Sequence, residues 1–144
     1  MKKILILFLS LGFLSPVFAA EWREIFEKKY IDISSIERNG DIITFWAKFL
    51  RKDSKEVLPV LNKPYWYTID RWNIDCLNKK ERIDVMTVYG LKGDLIYSDE
   101  YNAEWNSIIP DTYSDVFYRL FCIVPYKDNT FLNESISRTK SIFS

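Results

Sequence analysis

The chain has 144 residues with 20 basic and 20 acidic side chains, no histidine, two cysteines and 17% aromatics. A balanced charge argues against a nucleic-acid binder, and the missing histidine excludes Ser-His-Asp and Cys-His catalysis together with the usual zinc sites. Four glycines form no phosphate-binding loop, and no internal repeat is present.

Lys2 and Lys3 precede an apolar run, Ile4 to Phe18, that is short for a membrane span and closes on small residues, the pattern of an export signal. Val17 and Ala19 suit the −3 and −1 positions of a signal-peptidase site. Cleavage is therefore expected after Ala19, giving a leader of 1–19 and a mature chain starting at Ala20; an uncleaved anchor is the competing reading. Ala20 is not cysteine, so lipid attachment is not expected, and no later apolar run is long enough to span a membrane. The remaining 125 residues, with 18 basic and 20 acidic side chains, suit one domain with a modest core.

Strand signals dominate the mature chain. Trp22 to Phe26 and Tyr30 to Ile33 are short and rich in aromatic and β-branched residues, and Asn39-Gly40 predicts a type I′ hairpin turn. Beyond it Ile43, Phe45, Ala47 and Phe49 form an apolar face, alternating with the mixed set Ile42, Thr44, Trp46 and Lys48. Residues 51 to 64, charged at first and then holding Pro59 and Pro64, read as a surface loop. Extended pattern resumes from Tyr65 to Ile74. Asn78-Lys79-Lys80 turns the chain into a strand from Arg82 to Tyr89, with Ile83, Val85, Thr87 and Tyr89 expected on one side. Gly90 to Asp94 makes another turn, and Leu95 to Tyr97 a short strand.

After Pro110 the period changes. Thr112 is placed to cap a helix with Asp115 as a short capping-box acid, and Val116, Phe117 or Phe121, and Leu120 recur at helical spacing, predicting a helix from Tyr113 to Cys122. In an exported chain Cys76 and Cys122 are expected to pair; a redox-active pair is disfavoured by the lack of a Cys-x-x-Cys motif. The fold class is thus α+β: a twisted antiparallel sheet of five or six strands with a C-terminal helix packed on it and tied by one disulfide. The expected organisation is a leader at 1–19, a domain at 20–125 and a polar tail at 126–144.

Candidate chemistry is sparse, and no catalytic residue, metal or cofactor is expected. Asp70 with Asp75, or Asp99 with Glu100, are the carboxylate pairs a glycosidase would need, but solvated turn acids are the simpler reading. Lys79, Lys80 and Arg82 on a hairpin tip form the leading polar contact surface, with solubilising charge as the alternative. Tyr65, Trp66, Tyr67 and Trp72 cluster in sequence. Neighbours on a strand face opposite sides, so at least one of these rings is expected to stay exposed as an interface anchor or sugar-stacking platform, unless all fill the core and sheet edges. An uncovered edge also leaves room for a homodimer.

The order Tyr30-Ile31-Asp32, Ser35-Ile36, Asn39-Gly40, Trp46, Asp75-Cys76, Arg82, Tyr89, Trp105, Pro110, Cys122 resembles the surface-adhesin protein E domain over almost the whole mature chain. The resemblance implies an antiparallel sheet whose C-terminal helix is fastened by the Asp-Cys and final Cys pair. It also implies a bacterial envelope protein, its namesake being an outer-membrane lipoprotein that holds host extracellular-matrix proteins. Two departures stand out: the lipidation cysteine is absent, and Pro110-Asp111-Thr112 replaces a Pro-Gly-Ser turn. The expected function is non-enzymatic binding of a protein partner, host matrix or envelope, from the periplasm or after secretion. The alternatives are a periplasmic inhibitor or accessory factor of another envelope enzyme, and a carbohydrate-binding module.

Overall fold

Apolar alternation builds the centre of the molecule. The computed structural model describes residues 19–51, 57–58, 61–100 and 103–123; the expected leader up to Phe18 and the expected tail lie outside the described residues. In chain order the strands are β1 (Trp22–Phe26), β2 (Lys29–Asp32), β3 (Glu37–Asn39), β4 (Ile42–Leu50), β5 (Val57–Leu58), β6 (Lys63–Pro64), β7 (Tyr67–Asp75), β8 (Lys80–Tyr89), β9 (Leu95–Glu100) and β10 (Asn106–Ser107). The helix α1 (Tyr113–Tyr118) follows and runs into a π turn, Arg119–Ile123.

The main sheet is antiparallel, with a continuous path β1-β2-β4-β7-β8-β10. Six strands lie on this path, but the sheet has eight described strands against the five or six expected. The described total reaches eight because β4 and β8 are long: β3 shares an edge of β4 with β2, and β9 shares an edge of β8 with β10. The segment expected as a plain loop carries a small hairpin of its own, β5 with β6; its charged residues 52–56 lie outside the described residues.

Register sorts the side chains into two faces. Ile43, Phe45 and Ala47 of β4 are buried, and they stand opposite Ile74, Trp72 and Asp70 of β7. The helix lays Val116, Phe117, Leu120 and Phe121 over this face. Phe45 meets Phe117 and Phe121 with ring centroids 4.8 Å apart in each pair, and Trp72 meets Phe117 at 5.1 Å. The other face is half-buried and mixed. On it Lys48 extends over the rings of Trp22 and Tyr30, at 4.4 and 5.1 Å, and its partial burial lowers the amine's pKa.

Three local expectations need correction. Asn39 pairs with Ile42, so the central turn residues are Gly40 and Asp41; only Gly40 has positive φ, +60°, which is the sign pattern of a type II′ turn. Arg71 pairs with Val85 but Trp72 with Ile83, so Asp84 is bulged out of β8. The bulge turns Ile83 toward the helix side with Met86 and Val88, while Val85, Thr87 and Tyr89 face the other way. Thr112 does sit at the helix N-cap, yet its hydroxyl donates to the Ile109 carbonyl; Asp115 instead accepts from the Asp111 amide at 3.3 Å and pairs with Arg119 at 2.7 Å.

Cys76, in the turn just past β7, and Cys122, in the π turn, form the expected disulfide with Cα atoms 5.4 Å apart. It ties the end of the helical segment to the sheet. The Cys76 amide also donates to the Asp41 carbonyl, joining this corner to the β3–β4 turn.

Candidate functional site

The residues singled out in the sequence are dispersed over three places. At the β7–β8 turn, Lys79 has φ +52° and holds its ammonium 5.3 Å from the Tyr118 ring. Lys80 is the first residue of β8, opposite Asp75, and its charge is one of the lesser influences lowering the Asp75 pKa, after hydrogen bonds from Asn78. Arg82 is built into a network: its Nε pairs with Asp84 Oδ1 at 2.7 Å, its guanidinium lies 4.8 Å from the Trp105 ring, and Asp84 Oδ2 accepts from Asn73 Nδ2 at 2.7 Å. Two of these three cations are thus engaged with aromatic rings of their own chain.

The aromatic cluster divides. Trp72 is only 8% exposed and belongs to the core, so it is not the exposed ring of the group; even-numbered residues of β7 face the helix. Tyr65 is buried as well. Trp66 is 47% exposed, and its backbone is clamped on both sides, the amide donating to the Tyr89 carbonyl at 2.7 Å and the carbonyl accepting from the Arg51 amide at 3.0 Å. Its ring meets Tyr67 edge-on at 5.2 Å, and Tyr67 stacks on Tyr89 at 4.6 Å. Burial, with a smaller contribution from Tyr89, raises the Tyr67 pKa, which keeps this phenol neutral. An open indole on a fixed aromatic base is therefore set at the end of the sheet opposite the disulfide.

The carboxylate pairs do not form acid/base dyads. Asp70 and Asp75 differ in parity on β7 and lie on opposite faces, as do the adjacent Asp99 and Glu100 on β9. Asp70 is no solvated turn acid either. It is 5% exposed, stands between Ala47 of β4 and Met86 of β8, and borders a cavity of about 300 Å³ that is also lined by Lys29, Phe49, Tyr65, Trp72 and Tyr113. Its Oδ2 accepts from the Thr68 hydroxyl at 3.2 Å, whereas Oδ1 has no partner among the described residues. Desolvation pushes its pKa up to about 7, against a smaller lowering from the Thr68 hydrogen bond. Among the described residues no three His, Cys, Asp or Glu side chains are grouped to hold a metal, and no helix is long and apolar enough to cross a membrane.

The sequence model of the family described as Surface-adhesin protein E matches residues 22–123, the span from β1 to the end of the π turn. This chain belongs to that family. In the solved structures, protein E from non-typeable Haemophilus influenzae is similar at a TM-score of 0.57 and 15% identity, covering 87% of this chain and 95% of that one. A second crystal form of Haemophilus influenzae protein E gives a TM-score of 0.49 at 17% identity, over 67% of this chain and 80% of that one. No curated protein sequence matches. At these identities the structural likeness concerns the fold alone.

Proposed function

We propose that this adhesin E family member is a non-enzymatic, exported envelope protein that binds a protein partner through the aromatic end of its sheet. The observation that carries the reading is Trp66: a large exposed ring, held by two backbone hydrogen bonds beside the Tyr67–Tyr89 stack, loses little conformational freedom on contact. In this reading residues 1–19 direct export, 20–125 form the docking domain and 126–144 a polar tail. Lys79, Lys80 and Arg82 then serve as a secondary, charged rim at the opposite end of β8.

The test is capture of matrix-protein and envelope preparations by the immobilised mature chain, wild type against Trp66→Ala. A retained protein whose binding falls about 30-fold or more in the variant is the expected result, the size of a central interface anchor. Equal binding by the variant, or turnover of a small substrate without any retained macromolecule, defeats the reading. The exposed indole also supports a carbohydrate platform; enzymatic removal of glycans from the captured partner separates the two, since only sugar binding is abolished. A periplasmic inhibitor role predicts retention inside the cell on fractionation and loss of a target enzyme's activity.

A further inference from the structure

We propose that the Asp70 cavity is a binding site for the ammonium or guanidinium head of an organic cation, received by the Asp70 carboxylate among the rings of Phe49, Tyr65, Trp72 and Tyr113. The site lies on the helix side of the sheet, and the proposal rests on the cavity alone, independent of the partner-binding reading above.

Four observations combine. The cavity, about 300 Å³, is the size of a small-ligand pocket. Asp70 is 5% exposed with an Oδ1 atom that no donor among the described residues satisfies, and a buried acceptor without a partner is costly unless a ligand or solvent serves it. The walls supply four aromatic side chains, whose faces attract cations. Two of those rings already do so within the chain, because Lys29 Nζ lies 5.7 Å from Phe49 and 5.5 Å from Tyr113.

A neutral donor would also satisfy Oδ1, but only a cation gains from both the carboxylate and the rings. Asp70 has no charged neighbour in register, its cross-strand partners being Ala47 and Met86. Among the described residues, the titratable and charged groups that face the cavity besides Asp70 are Lys29 from β2, Tyr65 ahead of β7 and Tyr113 from α1. Lys29 opposes a second positive charge. Its removal is accordingly expected to strengthen binding. Because burial holds the carboxyl partly protonated near neutral pH, an incoming cation displaces that proton.

The full chain is titrated with n-butylammonium and n-butylguanidinium, with neutral n-butylurea as control, while the Trp72 indole N–H is followed by nuclear magnetic resonance. Saturable shifts for the cations are expected, at least about tenfold tighter than for the urea and weakening up to about tenfold for each unit by which the pH falls below 7. Asp70→Asn should weaken cation binding about tenfold or more, and Lys29→Met should tighten it. Equal affinity for the urea, an unaffected D70N variant, or no saturable shift at Trp72 overturns the site. Should D70N not fold, proton release by the wild-type chain in buffers of differing ionisation enthalpy decides the matter: release upholds the site, and its absence overturns it. Capped Gly-Lys-Gly and Gly-Arg-Gly peptides then separate the sources. Binding equal to the free cations indicates a side chain of a partner protein, and exclusion indicates a free amine; both uphold the cation site.

Discussion

Phe45 and Phe117 meet edge to face, ring centroids 4.8 Å apart and planes inclined at 70°, and both are fully buried. This contact anchors α1 on the sheet, because Phe117 also touches Trp72 and Phe49. Phe117→Ala removes a ring that three neighbours cannot all move to replace. The expected loss is about 3–5 kcal/mol, read from the urea midpoint at unchanged slope. A loss below about 1 kcal/mol would mean that the helix contributes little to the core.

The disulfide joins Cys76 and Cys122 across a sequence separation of 46 residues. Chain-entropy reasoning assigns such a loop about 4 kcal/mol of stabilisation. The double variant Cys76→Ser, Cys122→Ser is therefore expected to lose about 2–5 kcal/mol, with the helix released before the strands. Amide exchange checks the order: the amides of residues 113–123 should lose protection while β4 and β7 keep theirs. Uniform loss across the sheet would refute this hierarchy.

The centre of the fold is legible in the sequence because β4 alternates cleanly, and its buried residues Ile43, Phe45 and Ala47 are the ones its pattern marks. The helical segment is legible for a similar reason, the recurrence of Val116, Phe117, Leu120 and Phe121, but the end of α1 at Tyr118 and the π winding after it are not. The bulge at Asp84 is not, since it depends on a cross-strand network joining Asn73, Asp84 and Arg82 that no single strand encodes. Likewise Asn39-Gly40 signals a turn without saying which two residues are central. Asp70 leaves a readable trace, for it shares parity with Trp72 and Ile74 on β7. A carboxyl on an apolar face is easily assigned to solvent, however, and only the covering helix and Tyr65 show that it is enclosed.

The network on the open face gives a third test. Asn73 is buried, accepting from the Thr44 hydroxyl and donating to Asp84. Asp84→Ala leaves the Asn73 amide without its acceptor and Arg82 without its carboxylate, an expected cost of about 1–3 kcal/mol. Asp84→Asn retains an oxygen for Asn73 and should recover part of that loss. If both variants stay within about 0.5 kcal/mol of the wild type, the bulge is held by backbone register alone.

Asp70 makes stability depend on pH in the direction opposite to most carboxylates. Its folded-state pKa of about 7 stands above the unfolded reference of 3.8, so between those values the folded chain binds the additional proton. The contribution is fully present below about pH 4 and is lost as the pH rises through 7. At about 1.4 kcal/mol for each pH unit between the folded and unfolded values, the change reaches at most about 4 kcal/mol. Wild-type unfolding in urea is expected to show this loss from about pH 4.5 to about 7.5, superimposed on the other carboxylates. Asp70→Asn should remove it while being the more stable protein at the upper end of that range. Parallel pH profiles for the two chains would place the Asp70 carboxylate in contact with water and withdraw the account of its burial.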